Sequence, residues 1–224
     1  SNSAPILASN GVSVSPSSPS SNDDLTCAHS AATDSDPTDN TSVYPAYAYA
    51  WFVNGSTTAD PSFTEATIQG IHTVKDYTYS CAVTPSDDTL TGATVASTNT
   101  VLVGNTTPAI ASMSLTPTQA YASSTLTCSY SGFSDADGDA DQSTFAWTIN
   151  GASQGSGVIN NNTSTLQGLF SYGDLVSCTI TPYDGQAQGT ALSDAVSILN
   201  TPPSLVQVRI NPNSVYEDST VQCL

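Results

Sequence analysis

The sequence predicts an all-β fold built as tandem sandwich domains. Three observations lead there. First, helical periodicity is absent, while alternating apolar and polar runs rich in β-branched residues recur throughout, punctuated by Pro, Gly, Asn and Asp. Second, a set of three strand-like runs occurs twice. Leu25-Thr26-Cys27, Tyr49-Ala50-Trp51-Phe52-Val53-Asn54-Gly55 and Tyr79-Ser80-Cys81 return as Leu126-Thr127-Cys128, Phe145-Ala146-Trp147-Thr148-Ile149-Asn150-Gly151 and Val176-Ser177-Cys178. Third, the cysteines recur at separations of 101 (27 to 128), 97 (81 to 178) and 95 (128 to 223) residues. A period near 100 is too long for a solenoid and suits separate β-domains.

A second recurring element sets the expected boundaries: Asn2-Ser3-Ala4-Pro5, Asn105-Thr106-Thr107-Pro108 and Asn200-Thr201-Pro202-Pro203. The repeats then run over 1–104 and 105–199, and 200–224 holds the first strands of a third, incomplete one. In the first repeat, strands are expected at 6–14, 24–29, 47–53, 62–68, 76–84 and 94–103. In the second they are expected at 110–115, 124–130, 144–149, 164–169, 174–181 and 191–199.

Side-chain alternation fixes the faces. With the cysteines and tryptophans inward, Leu126, Tyr130, Phe145, Ile149, Val176 and Ile180 point inward too. The first repeat contributes Leu25, Tyr49, Trp51, Val53, Tyr79 and Val83. Asn54-Gly55 and Asn150-Gly151 follow the tryptophan strands at one offset and supply the positive φ values of tight turns. Lys75-Asp76 and Gly173-Asp174 are expected to turn the chain into the second-cysteine strands, and the Ser/Pro-rich stretch 13–22 to form an exposed turn.

Five cysteines with no C-x-x-C argue for disulfides rather than zinc. The expected pairs are Cys27–Cys81 and Cys128–Cys178, each worth about 4 kcal/mol by loop closure. Cys223 is left over, with its partner expected beyond Leu224. Disulfides imply export, hence an extracellular or cell-surface location. Nineteen acids against Lys75 and Arg209 give a net charge of −17. Such a surface repels phosphate, so nucleic acid is excluded as a partner, and it attracts cations. No run of 18 apolar residues is present, so no membrane span is expected. With no signal peptide visible, the chain reads as a mature or excised piece of a longer protein.

These residues resemble an immunoglobulin-like fold. The resemblance implies an inter-sheet bridge in each repeat, with Trp51 and Trp147 packed on the two bridges. The texture of Ser134-Asp135-Ala136-Asp137-Gly138-Asp139, Asn150-Gly151, Gly173-Asp174 and Thr181-Pro182-Tyr183-Asp184-Gly185 is similar to the tandem Ig-like, PKD-like or cadherin-like repeats of prokaryotic surface proteins. It implies a structural role in a fibre, filament or adhesin stalk, with further copies of the repeat or chain as partners. The alternative is a carbohydrate- or protein-binding accessory module of a secreted protein. The apolar residues of the tail, Leu205, Val206, Val208, Ile210 and Val221, are expected to continue into further chain or to pack on another copy.

Several constellations suggest chemistry. Asp135, Asp137 and Asp139 sit at every second position, and Asp184 should approach them from the loop after the second-cysteine strand. Ca²⁺ takes six to eight oxygens and favours such loops; a solvated acidic loop is the plainer reading. Asp34, Asp36, Asp39 and Asp87 form a weaker version, broken by Pro37. Sequons for N-glycans occur at Asn40, Asn54, Asn105, Asn161 and Asn162, with Asn105 and Asn162 foremost. Tyr44, Tyr47, Tyr49 and Tyr183 are candidates for a sugar-binding face. Gly151-Ala152-Ser153-Gln154-Gly155 matches a nucleophile elbow, but no helix follows it, and the histidines, His29 and His72, lie in the other repeat. No catalytic residue is assigned and no enzyme activity is expected. His29 is expected to be a packed, satisfied side chain.

Overall fold

The computed structural model describes residues 2–35, 46–87, 89–205, 207–211, 216–218, 220 and 222–223, without the side chains of 210, 211, 222 and 223. Asp36, Asp39, Asn40, Tyr44, Val206 and Val221 therefore lie outside the described residues.

The chain is all-β, as two Ig-like sandwiches in tandem, each with one inter-sheet disulfide. The first has strands β1 (Val12–Ser15), β2 (Leu25–His29), β3 (Ala46–Val53), β4 (Thr67–Ile68), β5 (Thr78–Ser86), β6 (Val95–Ala96) and β7 (Val101–Leu102). One sheet has the order β1-β2-β4; the other is β3-β5-β6, with β7 also on β5. The second has β8 (Ala109–Thr116), β9 (Ala120–Tyr121), β10 (Thr125–Ser134), β11 (Thr144–Ile149), β12 (Ala152–Gly155), β13 (Val158–Asn160), β14 (Thr163–Gln167), β15 (Leu175–Thr181) and β16 (Leu192–Leu199). Its sheets are ordered β13-β14-β10-β8 and β12-β11-β15-β16-β9. In the tail, β17 (Ile210–Asn211) pairs antiparallel with β18 (Gln222–Cys223), while Leu205 and Val208 are exposed.

Backbone contacts divide the chain into two compact units. One comprises Ser1–Ser112, Tyr130–Thr144 and Ile180–Leu192. The other comprises Met113–Ser129, Phe145–Thr179 and Ser193–Leu224.

Cys27 on β2 bonds Cys81 on β5, and Cys128 on β10 bonds Cys178 on β15, so each bridge joins two sheets. The β3–β5 register sets Trp51 directly opposite Cys81, which puts the indole and the bridge on one face. Val14 is likewise opposite Cys27. Around them Val12, Leu25, Ile68, Tyr79, Val83 and Val101 are buried, with Tyr47, Tyr49 and Val53 half-buried against the cluster. In the second sandwich Leu126, Phe145, Ile149, Leu166, Phe170, Val176 and Val196 are buried with Trp147.

Both indoles are fully buried, so each N–H needs an acceptor. Trp51 Nε1 donates to the Glu65 carbonyl at 2.9 Å. Trp147 Nε1 donates to Ser164 Oγ at 2.9 Å, and that hydroxyl in turn donates a hydrogen bond to the Ser156 carbonyl at 2.5 Å. Gly157 makes room for this relay: its φ is 70°, and a Cβ there would stand 2.6 Å from Ser164 Oγ and 2.7 Å from Trp147 Nε1. Tyr79 is the counterpart anchor in the first sandwich, its hydroxyl accepting Val74 N at 3.2 Å. Two residues before the second cysteine, where the first sandwich has Tyr79, the second has Val176.

Three expected strands are shorter or broken. The run 6–14 forms a ladder only from Val12, because the chain turns at Ser9-Asn10; Ile6 instead bridges Thr33. The run 62–68 forms only Thr67–Ile68, since the Asp60 carboxylate accepts Ser62 N at 2.9 Å and curls the backbone. The run 94–103 breaks into β6 and β7 because the Asn99 side chain replaces a strand partner. Its Oδ1 accepts Val14 N at 2.8 Å and its Nδ2 donates to Val14 O at 2.9 Å. The turns form as expected: φ is 53° and 70° at Asn54-Gly55, and 50° and 82° at Asn150-Gly151. The second pair closes the β11–β12 hairpin; after the first, no strand forms.

The two tryptophans differ in what a mutation can reach. Ser164→Ala strands a buried indole N–H and should cost about 1–3 kcal/mol in denaturant unfolding. Glu65→Ala leaves the carbonyl acceptor of Trp51 in place and should stay within about 0.5 kcal/mol of the parent.

Candidate functional site

The acidic loop leaves β10 and folds around its first carboxylate. Asp135 Oδ1 accepts Asp137 N at 2.9 Å and Asp139 N at 3.1 Å, and Gly138 takes φ 76° between them. This is local Asx chemistry, which the alternating acids make possible. It draws ligand oxygens of Asp135, Asp137 and Asp139 within 4.8 Å of one another. All three residues are half-buried, and Asp135 Oδ2 is buried without a hydrogen-bond partner.

Asp184 does not join this trio as a free carboxylate. Its Oδ1 accepts the backbone N–H groups of Gln186 and Ala187 at 2.6 Å each, and its Oδ2 accepts Asn105 Nδ2 at 2.8 Å. With both oxygens turned toward amide donors, it serves as an anchor for the loop that carries it. Burial would raise its pKa, but the hydrogen bonds from Asn105, Ala187 and Gln186 outweigh it and bring the value from 3.8 down to about 2.

The element that sequence reasoning missed is Lys75. Its Nζ lies 2.7 Å from Asp139 Oδ2 and 2.7 Å from Asn105 Oδ1, with the side chain 14% exposed. The hydrogen bond to Asp139 holds the ammonium above its usual pKa, so it stays a cation. Asp137 accepts Thr106 N at 2.7 Å and the Ser21 hydroxyl, and Thr106 Oγ1 donates to Ser21 O at 2.8 Å. Ser21, Thr73, Lys75, Asp137, Asp139 and Gln186 line a cleft of about 460 Å³ in this compact unit. Lys75 pairs with Asp139 alone, so Asp135 and Asp137 keep negative charge beside it that no cation neutralises among the described residues.

Asn105 is a structural clasp, and its bond to an aspartate has a counterpart in the first repeat. Asn2 Nδ2 donates to Asp87 Oδ2 at 3.2 Å, and Asp87 Oδ1 accepts Thr89 N at 2.7 Å and Leu90 N at 2.5 Å. The same arrangement extends to backbone packing: Gly92 N bonds Pro85 O at 2.9 Å, and Gly189 N bonds Pro182 O at 3.0 Å. A Cβ on Gly92 would strike the Pro5 carbonyl, and one on Gly189 the Pro108 carbonyl. The signal was present in the sequence as Asn2…Pro5 with Thr84-Pro85-Ser86-Asp87, and Asn105…Pro108 with Thr181-Pro182-Tyr183-Asp184.

The other candidate residues are scattered. Asn54, Asn161 and Asn162 are exposed in turns, and Asn54 Oδ1 accepts Thr78 N at 3.0 Å. Tyr47 and Tyr49 turn their hydroxyls inward, to Ala32 N at 3.0 Å and His29 Nε2 at 2.9 Å; Tyr183 bonds its own loop at Gly185 O, 2.8 Å away. His29 lies half-buried over Tyr47 with ring centroids 4.0 Å apart. Ser153 sits in strand β12, not on a strand-to-helix turn.

No protein-family model matches the chain, and no curated protein matches its sequence. Solved structures do align with it. The chicken interferon gamma receptor alpha chain is 10% identical, with 89% of this chain and all (100%) of that one covered, at a TM-score of 0.45. A two-domain fibronectin type III segment of chicken tenascin is 9% identical, with coverages of 87% and 99% and a TM-score of 0.41. The FN1–FN3 domains of chicken CNTN1 are 12% identical, with coverages of 93% and 72% and a TM-score of 0.37. The strand order and the two bridges carry the fold assignment.

Asp184 has a defined acid signature. Its folded pKa is depressed, so its contribution to stability is complete above about pH 4 and is lost as pH falls through about 2. In thermal unfolding across pH, Asp184→Asn should be less stable than the parent at neutral pH, and the gap should close in acid.

Proposed function

We propose that the chain is a structural repeat segment of an extracellular fibre, filament or adhesin stalk. The observation that supports this most directly is the pair of tandem sandwiches, each with its sheets pinned through a buried disulfide–indole core. Disulfides at the centre of both cores favour an oxidising compartment, outside the cytosol. A clasp role fits the mutual bonds of Lys75, Asn105, Asp139 and Asp184. Further copies of the repeat or chain are the natural partners, and the resemblance to prokaryotic surface repeats belongs to this reading. The strong negative charge disfavours nucleic acid and keeps neighbouring copies apart except where specific contacts form.

Imaging the native assembly by electron microscopy tests the proposal. Beaded fibres containing the chain are expected; a discrete soluble particle with reproducible hits on a glycan array would replace it with the accessory-module reading.

Calcium belongs to the same proposal as a stiffener of the acidic loop. Asp135, Asp137 and Asp139 would provide the ligands, with Lys75 as the competing charge. Calorimetric titration with Ca²⁺ should give heat with the parent, more tightly with Lys75→Met, and none with Asp135→Asn. Absence of heat in both the parent and Lys75→Met would remove calcium from the account.

A further inference from the structure

The hairpin of β13 and β14 combines an exposed edge with a modification motif. Its register pairs Asn160 with Thr163, so Asn161 and Asn162 form a two-residue turn, with φ 51° at Asn161. Both asparagines are exposed. Strand β13 is the outer strand of its sheet, and all three of its residues are exposed, Val158 at 73% and Ile159 at 52%. An open edge carrying two bare apolar side chains is a template for pairing with another chain. No charged residue or proline lies in this strand to blunt it.

The described sequons differ in what their atoms already do. Asn105 uses its Nδ2 twice, to Thr106 O at 2.9 Å and Asp184 Oδ2 at 2.8 Å. A glycan replaces one of those N–H bonds, so one of the two hydrogen bonds would be lost. Asn162 depends on the hydroxyl of Ser164, which is fully buried and bound to Trp147 Nε1 and Ser156 O. Asn54 depends on Ser56, whose hydroxyl donates to Thr58 O at 2.8 Å and accepts Thr58 N at 3.1 Å. Asn161 depends on Thr163, whose hydroxyl makes one exposed bond, to Asn160 O at 2.7 Å in the same turn. Asn161 thus combines an exposed amide with a hydroxyl that is neither buried nor doubly bonded.

We propose that Asn161 is an N-glycan attachment site and that its oligosaccharide shields the β13 edge. The donor class is a lipid-diphosphate-linked oligosaccharide. The sugar C1–O bond breaks with its electron pair leaving on the phosphate, the C1–Nδ2 bond forms, and Nδ2 gives up one proton. A chain of hydrated sugar at the turn blocks the approach of a second strand. The assignment rests on the export that the fibre reading also requires.

The full chain secreted from a host that N-glycosylates exported proteins provides the test. Enzymatic removal of N-glycans in ¹⁸O-water converts each modified Asn to labelled Asp, which peptide mass mapping locates. Label at Asn161, with Asn105 unlabelled, is the expected result. Asp tolerates left-handed φ, so the deglycosylated turn should hold. That material should shift from monomer to larger species in sedimentation, and Ile159→Lys should return it to monomer. An unlabelled Asn161 overturns the attachment site, whichever other sequons carry label. A labelled Asn161 whose removal leaves the chain monomeric overturns the shielding role. Either failure leaves the fibre reading standing, whereas free thiols at Cys27, Cys81, Cys128 and Cys178 in the secreted protein would sink that reading, an outcome read separately from the label at Asn161.

Discussion

A buried disulfide and a buried indole in one core are what each sandwich depends on. The bridge holds two sheets at a fixed separation, and the tryptophan fills the space beside it. The indole brings one polar hydrogen into an apolar core, where leaving it unpaired is costly. The two sandwiches meet that requirement differently. One uses a backbone carbonyl, at Glu65, and the other a serine hydroxyl that must itself be relayed to Ser156. The second solution constrains more of the sequence, since Ser164 must be small and polar and Gly157 must lack a side chain.

Most of the architecture was legible because it is written in the strongest codes: cysteine spacing, period-two alternation and Asn-Gly turns. Trp147, Phe145, Leu126 and Val176 follow from alternation alone. Tyr49 and Val53 were expected inward by the same rule and are half-buried, on a strand that packs the core over only part of its width. The broken strands were hidden because side chains replace ladder bonds. Nothing in the pattern of 94–103 says that Asn99 will hydrogen-bond Val14 on both its N–H and C=O. Such substitution depends on residues far apart in the chain, which local periodicity does not register.

The acidic loop was legible in part for the same reason. Three of its carboxylates converge through bonds to their own backbone, a local effect of spacing. The role of Asp184 and the arrival of Lys75 depend on long-range placement. A chain with 19 acids and two bases has little freedom in how it uses a cation. It places Lys75 where three carboxylates gather, and it surrounds the neighbouring Asp184 with amide donors, neutral groups that stabilise charge without cancelling it.

The Asn–Asp clasps tie each repeat's beginning to its end. Asn2 reaches Asp87 and Asn105 reaches Asp184, so the opening residues of a repeat are fastened to a loop near its close. The stretch from one boundary asparagine to the next carries both halves of this latch. A break between the asparagine and its acid would part them. A cut just ahead of the asparagine leaves every such latch whole, and that is the phase in which Asn2, Asn105 and Asn200 recur.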